Sequence, residues 1–361
     1  MVPTTRRVGV VLFQLGGPES LEAIEPFLFN LFCDPDIIDF PFARIGRKPL
    51  AKLISTTRAR KVQHHYEVIG GGSPIRRWTE RQAKALQESL SADGIDARCF
   101  VAMRYWHPFT DEAIAQLEAA ECDEIVLLPL YPQYSSTTTG SSLNEWRRRF
   151  NADGRTVHSI ESFHLDALYL DSLVEKINEA LERFPAPADV QLVFSAHSVP
   201  VAVIERGDPY QRQIQETVAA VMQRGGLLAP TVRPFDSAQG GLHQAKDGVP
   251  LPWRLCYQSK VGASKWLQPS LRSTLRDLGA DGSKYVCVVP ISFVSDHVET
   301  LGEIDHEARE LAAEMGIRQF EMTEGLNDSP AFIAALTGLV KNALGVSAAA
   351  ESGVERLVAA D

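Results

Sequence analysis

The sequence predicts an α/β protein built from two similar halves, each with a parallel sheet flanked by helices. Apolar runs of strand length, such as residues 8–15 and 124–130, alternate with helical segments, a pattern typical of parallel sheets covered on both faces. Residues 285–293 resemble the second of these runs, and Pro129 and Pro290 occupy similar places. This similarity suggests an internal duplication into two Rossmann-like halves, with the binding site in the cleft between them.

Length and composition set the expected organisation. A chain of 361 residues with 45% hydrophobic residues exceeds one usual core, so two packed units are expected. We place the N-terminal half at residues 1–162 and the C-terminal half at residues 163–345. Residues 225–252 are rich in Gly and Pro without a period, which favours a surface insertion. The tail at residues 346–361 is expected to be frayed.

Charge and cysteine content exclude several classes of protein. A net charge of −10 argues against non-specific nucleic-acid binding, which needs a basic surface. The five cysteines are scattered without a Cys-x-x-Cys pair, as expected for buried free thiols in a reducing compartment. The N-terminal residues lack the apolar stretch of a signal peptide, and no run approaches the ~18 apolar residues of a membrane span. These features favour a cytoplasmic protein.

Two segments before residue 70 have unusual composition. After strand 8–15 and its Gly-Gly-Pro turn, residues 26–42 are aromatic-rich and broken by three prolines. They are expected to form either core or the rim of an apolar pocket, with possible peripheral contact to the inner face of a membrane. Residues 43–66 contain seven basic residues and no acidic one. They form either a solvated helical face or a docking site for substrate carboxylates or anionic lipid.

The remaining elements follow the alternating plan. Residues 70–74 are Gly-rich but match no nucleotide-binding pattern, so they are expected to be a loop before a helix at residues 79–91. Strand 98–103 is followed by a helix at residues 110–120. In the second half, strand 190–194 leads into a short loop that contains His197. Loops after buried strands lie where α/β sheets bind their ligands.

The stretch from 285 to 307 has the strongest functional signal. A buried strand at residues 285–289 is followed by a helix that Ser295 or Asp296 can cap. Acidic residues at spacings of three and four then share one helical face, and these are Asp296, Glu299, Glu303 and Glu307. Like charges at this spacing cost roughly 0.2–0.5 kcal/mol per pair on a solvated helix. The alternative is an exposed acidic face, but the position after a buried strand favours a site, and His297 adds a group that titrates near neutrality.

His197 is expected to face the same cleft from a neighbouring strand. A neutral imidazole opposite a carboxylate, most plausibly Glu299, can bind a divalent cation or accept a proton. Flat side chains surround these groups in the sequence: Tyr105, Trp106, Tyr131, Tyr134, Trp266 and Phe293. Apolar walls, convergent acid–base groups and a basic patch suit a large planar ligand with carboxylates at its edge, such as a tetrapyrrole.

An ordered set of motifs resembles the ferrochelatase family from about residue 8 to 343. The matching segments are Gln-Leu-Gly-Gly-Pro-Glu (14–19), Tyr66 with Ile-Gly-Gly-Gly-Ser-Pro-Ile (69–75), Met-Arg-Tyr (103–105), Tyr-Pro-Gln-Tyr-Ser (131–135), Thr-Thr-Gly-Ser-Ser-Leu-Asn (138–144), Ser-Ala-His-Ser-Val-Pro (195–200), Arg-Gly-Asp-Pro-Tyr (206–210), Tyr-Gln-Ser-Lys-Val-Gly (257–262) and Phe-Val-Ser-Asp-His-Val-Glu-Thr-Leu-Gly-Glu-Ile-Asp (293–305).

The resemblance implies a two-halved chelatase fold that inserts Fe²⁺ into protoporphyrin IX and releases two protons. It implies that His197 and Glu299 are the catalytic pair and meet the metal. Asp296, His297 and Glu303 match the polar network around that glutamate. The resemblance also implies a set of porphyrin-binding residues: Leu15, Tyr131, Trp266 and Phe293 as walls, Arg58, Tyr66 and Ser259 at the propionates, and Arg104 with Tyr105.

Departures from the family pattern limit the expected cofactors. Some relatives hold a [2Fe–2S] cluster through a cysteine in the loop after residue 131 and three near the C-terminus. This chain has Ser136 in that loop and no cysteine after Cys287, so no cluster and no permanently bound cofactor are expected, with Fe²⁺ as substrate. The alternatives are a coproporphyrin III ferrochelatase, a non-catalytic porphyrin or haem carrier, and a cobalt or nickel chelatase. The last usually has paired histidines, whereas Glu299 faces His197 here.

Overall fold

The computed structural model describes residues 6–37, 43–225, 251–260 and 264–346. The predicted insertion at 225–252 lies almost entirely outside the described residues, as does the tail from residue 347 onward. Residues 38–42 of the expected apolar rim also lie outside them.

The first half contains a four-stranded parallel sheet with strand order β2-β1-β3-β4. Its strands are β1 (Val8–Gln14), β2 (Ala97–Met103), β3 (Glu124–Pro129) and β4 (Thr156–Ser159). The helices around it are α1 (Ile24–Phe32), α2 (Ala43–Val68), α3 (Ile75–Ala92), α4 (Thr110–Ala119) and α5 (Ser141–Arg149), and a π-helical turn at Ser136–Gly140 precedes α5.

The second half repeats this arrangement with strand order β6-β5-β7-β8, again all parallel. The strands are β5 (Val190–His197), β6 (Trp253–Gln258), β7 (Tyr285–Pro290) and β8 (Gln319–Met322). The helices are α6 (Ala167–Leu181), a 3₁₀ turn (Pro187–Asp189), α7 (Val201–Glu205), α8 (Tyr210–Arg224), α9 (Leu271–Ala280), a π-helix (Glu299–Ala308), α10 (Arg309–Glu314) and α11 (Pro330–Ala343). The shared strand order confirms the predicted two-halved α/β fold.

The central strands are buried because helices cover both faces of each sheet. Every residue of β1 and β3 is buried, which explains why these strands are continuous apolar runs rather than alternating patterns. β1 pairs with both β2 and β3, and β5 pairs with both β6 and β7. The carboxyl ends of β5, β6 and β7 therefore lie side by side.

One hydrophobic core extends through both halves. A single cluster of buried residues includes Leu12 and Leu128 of the first sheet together with Leu192 and Val289 of the second. Helix α11 packs against α3 of the first half as well as against α6. The proposed boundary at residues 162–163 falls in the connection between β4 and α6.

Two local expectations were wrong, and the alternatives for residues 26–42 are decided in part. His197 is the last residue of β5 and not part of a loop, because residues 195–197 continue the pairing with β6. Helix α3 begins at Ile75, four residues before the predicted start. Within the expected rim, α1 forms a nine-residue helix that buries Phe27 and Phe32, so this part of the segment is core. Among the described residues, no helix is long and apolar enough to cross a membrane.

Candidate active site

His197 and Glu299 meet at the carboxyl edge of the second sheet. The imidazole Nε2 lies 3.6 Å from the Glu299 carboxylate Oε2. The His197 side chain is 37% exposed and that of Glu299 is 20% exposed, so both groups remain accessible to a ligand. The sequence prediction that these two residues face each other agrees with this geometry.

Phe293 lies beside both histidines of the site. Its ring centroid is 6.2 Å from that of His197 and 4.4 Å from that of His297. The half-buried Phe293 ring is thus next to the imidazole that is expected to accept protons. A flat apolar surface at this position can pack against a planar ligand.

Ser259 joins two acidic side chains. Its hydroxyl donates a 2.6 Å hydrogen bond to Glu303 and lies 3.2 Å from the nearer oxygen of Glu299. The residue follows β6 with a φ of +55°, a left-handed conformation that costs energy for a non-glycine residue. Ser259 was expected to contact a propionate, and the structure shows that it contacts two carboxylates of the protein instead.

Glu303 is the most strongly perturbed acid of the cluster. Burial raises the pKa of Glu303 to about 7, and the nearby charge of Glu299 adds to the increase. The hydrogen bond from Ser259 and the positive charge of Arg58 act in the opposite direction. Glu303 can therefore gain or lose a proton near neutral pH.

The helix that carries these acids is a π-helix over its ten residues, whereas the sequence predicted an ordinary helix. The π form is rare and is frequently found at functional sites. The prediction that Asp296 shares the acidic face was wrong. Its carboxylate accepts hydrogen bonds from Thr300, Gly325 and Asn327, so it fastens the loop before the helix.

His297 is buried and held in one orientation. Its Nδ1 lies 3.1 Å from the carbonyl oxygen of Ser295, while Nε2 has no hydrogen-bond partner among the described residues. Burial lowers the pKa of His297, which favours the neutral ring. The neutral ring then donates from Nδ1 and keeps a lone pair on Nε2. The side-chain amide of Gln82, from the first half, donates to the Ser295 hydroxyl at 2.9 Å and supports this loop.

Helix α2 of the first half covers the acidic π-helix. The pKa of Tyr66 is raised by burial first and then by the charges of Glu299 and Glu303, which places its ring near both acids. His65 Nε2 lies 2.7 Å from Glu307 Oε1. The helices approach closely at Gly302, where a Cβ would lie 3.3 Å from the Cβ and the carbonyl oxygen of His65. Tyr66 thus lies near these acids, and so does Arg58, whose positive charge lowers the pKa of Glu303.

The first half also contributes an apolar surface next to this site. Leu15, Tyr66 and Tyr105 belong to one apolar cluster that also includes Val298, the residue before Glu299. Tyr131, which follows β3, lies near Ser142 and Arg104, and burial raises its pKa. In the second half, Trp266 forms a backbone bridge with Pro200, three residues after His197.

The polar atoms of Arg104 and Tyr105 are directed to Asp34, a residue that sequence reasoning missed. Asp34 is buried and lies 2.9 Å from the Arg104 guanidinium, and it accepts hydrogen bonds from Tyr105 and Ser141. Arg104 also lines a cavity of about 630 Å³, whose lining residues do not include His197 or Glu299. The sequence signal for Asp34 is the tripeptide Asp34-Pro35-Asp36, and residues of these types are common in turns.

Solved structures with the same architecture identify the fold. DR2241 from Deinococcus radiodurans, described as similar to chelatases with two additional domains, gives a TM-score of 0.51 at 12% identity over 93% of this chain and 55% of that chain. SirB from Bacillus subtilis, solved with Fe³⁺, gives a TM-score of 0.51 at 11% identity over 94% and 95%. At such identities the similarity shows the fold alone. It is a chelatase-type fold.

Sequence comparisons then identify the family. The ferrochelatase family model matches residues 7–344. A ferrochelatase from Synechococcus elongatus is 46% identical over 343 residues, which cover 94% of this chain and 83% of that protein. A ferrochelatase from Caulobacter vibrioides is 42% identical over 94% of this chain and 91% of that protein. The chain belongs to the ferrochelatase family, and the protein is a metal chelatase.

Proposed function

We propose that this protein inserts Fe²⁺ into protoporphyrin IX, with release of two protons, as the terminal step of haem synthesis. The observation that supports this most is the pairing of His197 with Glu299 at 3.6 Å, with Glu303 behind them at a pKa of about 7. Insertion needs a base for the pyrrole protons and ligands that replace the water of the cation. This pair offers both.

In this proposal His197 accepts a pyrrole proton as a neutral imidazole, a role typically worth about 10²–10⁴-fold in rate. Glu299 acts together with His197, either as a second ligand of the metal or as a second acceptor for the proton. Among the described residues, no group of three or more His, Cys, Asp or Glu side chains converges as a metal cage. An open pair of ligands suits a metal that passes through the site as a substrate.

The acids behind the pair provide a route by which protons leave. Glu303 is joined to Glu299 through Ser259, and its pKa near 7 allows it to take up a proton at neutral pH. Glu307 continues the row toward the half-exposed edge, where it meets His65.

The porphyrin would lie between apolar walls from both halves, with Leu15 and Tyr131 on one side and Trp266 and Phe293 on the other. Its propionates would meet Arg58 and Tyr66 on α2. The Nε of Arg58 is buried without a hydrogen-bond partner among the described residues, so it can donate to an incoming carboxylate. Strain in the bound ring of roughly 1–5 kcal/mol would be offset by binding at this remote edge.

Coproporphyrin III is the alternative substrate. Its four propionates need additional cationic or hydrogen-bonding groups around the ring. Leu15 packs in an apolar cluster, which favours the less charged protoporphyrin. Parallel rate measurements with the two porphyrins decide between these substrates.

The proposed reaction can be tested by a continuous anaerobic assay of Fe²⁺ insertion with purified protein. His197→Ala is expected to lower kcat by at least about 10²-fold, because the base is removed. His158→Ala is the matched control, since His158 pairs with Glu124 on β3 and is not part of the site. If His197→Ala keeps the full rate in a folded protein, the acid–base role is wrong. If the unmodified protein binds porphyrin without inserting iron, it is a carrier.

We also propose that the protein is cytoplasmic and needs no bound cluster. Peripheral membrane contact was expected through residues 26–42, but α1 buries Phe27 and Phe32, so we assign this contact to α2 instead. Leu53 and Leu50 are exposed on this helix beside Lys48 and Lys52. Basic side chains beside exposed leucines suit an anionic lipid surface. Cosedimentation with anionic vesicles, but not with zwitterionic ones, is the expected result. Leu53→Ser should weaken it, and equal recovery with both vesicle types would contradict the electrostatic contribution.

A further inference from the structure

The Arg-Gly-Asp-Pro-Tyr motif at residues 206–210 has no part in the chemistry described so far. It lies between α7 and α8, and Tyr210 is the first residue of α8. Two of its side chains, those of Asp208 and Tyr210, connect the loop after β3 of the first half to His197.

Asp208 makes the contact with the first half. Its Oδ2 accepts hydrogen bonds from the backbone N–H and the hydroxyl of Ser136, each at 2.7 Å, and from the Ser135 hydroxyl at 3.1 Å. Both serines lie in the loop that follows β3 and carries Tyr131. The other carboxylate oxygen, Oδ1, accepts from the backbone N–H of Tyr210 at 3.0 Å. Both oxygens of one carboxylate are therefore used, one toward each half of the molecule.

Tyr210 continues the connection to the catalytic strand. Its hydroxyl donates to the backbone carbonyl oxygen of His197 at 2.9 Å, and its ring is buried. Burial raises the pKa of Tyr210, so the phenol remains a donor at neutral pH. The backbone N–H of His197 donates in turn to the Ser292 hydroxyl, also at 2.9 Å. The backbone of His197 is thus held on both sides by side chains outside its own strand.

We propose that Asp208 and Tyr210 are positioning residues that fix the His197 imidazole relative to Glu299 and to the loop carrying Tyr131. The inference rests on the proposed function for its kinetic consequence, but its geometry does not depend on the substrate. A displacement of about 1 Å at a catalytic group can cost about 10²-fold in rate, so a backbone anchor at this position affects chemistry. Through these hydrogen bonds, Asp208 and Tyr210 connect the loop that carries Tyr131 in the first half to His197 in the second half.

Tyr210→Phe tests the anchor because it removes one hydroxyl and leaves the ring in place. We expect kcat for Fe²⁺ insertion to fall about tenfold, while KM for the porphyrin stays within about twofold. Tyr169→Phe is the matched control. Tyr169 is also fully buried, and its hydroxyl lies 3.5 Å from a backbone carbonyl oxygen, that of Ile291. Both variants lose a buried hydroxyl, but only the first should change kcat.

A double-mutant cycle tests whether Asp208 acts through Tyr210. In Asp208→Asn, the new NH₂ group must face either the Ser136 N–H or the Tyr210 N–H. Because two donors cannot pair, one of these two hydrogen bonds is lost. We expect kcat to fall severalfold in this variant. The combination with Tyr210→Phe should cost less than the product of the two separate losses, because both remove one connection. Fully multiplicative losses would show that the two residues act separately.

NMR of ¹⁵N-labelled histidine provides a readout that does not need activity. Tyr210→Phe should shift or broaden the His197 ring signals of the ligand-free protein, whereas Tyr169→Phe should leave them unchanged. If the unmodified protein inserts no iron but these signals respond as described, the proposed function fails and the positioning inference stands. If kcat and the His197 signals of Tyr210→Phe match those of the unmodified protein, the inference is overturned.

Discussion

The hydroxyl of Ser259 donates a 2.6 Å hydrogen bond to Glu303 and is also within 3.2 Å of Glu299. A single hydroxyl has one proton, so it can donate a hydrogen bond to only one of these two carboxylates at a time. The arrangement favours a state in which one of the two acids holds a proton. The pKa of Glu303, raised to about 7 chiefly by burial, identifies it as that acid.

Glu303 should make the stability of the protein depend on pH. Its pKa rises from 4.5 to about 7 on folding, so the folded state binds the proton more tightly. The free energy of unfolding should therefore fall as pH rises from about 4.5 to about 7, because only the unfolded state releases the proton there. Glu303→Gln should remove this slope and raise stability at pH 8, by on the order of 2 kcal/mol. Urea unfolding at pH 5, 6, 7 and 8 measures it.

Glu310→Gln is the control for this experiment. Glu310 is exposed on the adjoining helix α10 but lies 3.7 Å from His306, so Glu314→Gln, at an exposed position on the same helix, is the second control and should leave the slope between pH 4.5 and 7 unchanged. An unaltered slope in Glu303→Gln would show that Glu303 ionises in the folded protein as it does in water.

Ser259→Ala should raise the pKa of Glu303 further. The Ser259 hydrogen bond favours the ionised carboxylate, so its loss leaves burial and the Glu299 charge less opposed. Titration of ¹³C-labelled glutamate carboxyls by NMR should place the Glu303 midpoint above that of the unmodified protein. A midpoint that stays in place or moves down would contradict the assigned direction of this hydrogen bond.

Arg58→Ala should weaken porphyrin binding more than it slows the chemical step. The charge of Arg58 acts on Glu303, and its Nε has no hydrogen-bond partner in the part of the chain that the structure describes. Its loss removes a partner for a propionate that is present in both ground and transition states. We expect KM for the porphyrin to rise about tenfold, with kcat within about threefold. Arg60→Ala, two residues along the same helix and exposed, should leave KM unchanged. An unchanged KM in Arg58→Ala would contradict the propionate role.

His65→Ala should loosen α2 over the acidic π-helix. The 2.7 Å contact between His65 and Glu307 joins the two helices at a partly exposed edge, where such a pair contributes at most about 1 kcal/mol. Hydrogen–deuterium exchange of α2 amides near residue 65 should then accelerate up to about fivefold. Gln63→Ala is the control, because Gln63 is exposed on the same helix and its side-chain amide donates to Glu67 within α2. Equal exchange in both variants would show that the contact with Glu307 does not hold α2.

The strands and their ends were predictable because parallel, doubly covered strands are short runs of apolar residues. The apolar run that forms β7 is followed by Glu299 nine residues after its end, and this spacing predicted that the acids lie at the carboxyl edge of the sheet. His197 was also placed at the right edge, although β5 reaches three residues further than its apolar run. Ser195 and His197 are polar, and only pairing with β6 shows that they are still strand.

The details that were not predictable depend on contacts between distant segments. Asp296 and Glu299 look alike in sequence, but Asn327 draws the first away from the acidic row. A π-helix has i→i+5 hydrogen bonds and more residues per turn than an α-helix, but three acids spaced four residues apart fit one face of either helix, so this pattern did not distinguish the two forms. Asp34 and Asp208 are aspartates in loops, and their importance comes from Arg104 and Ser136, which are 70 and 72 residues away in the chain.

The common interior of the two halves restricts how a porphyrin can enter. Because Leu12 and Leu192 belong to the same buried cluster, the sheets cannot swing apart as separate bodies without breaking packed apolar contacts. A ring-sized ligand must therefore be accommodated without such a separation. Helix α2 sets one boundary of this space, because it meets the π-helix at Gly302, through the His65–Glu307 pair and through the neighbouring rings of His64 and His306.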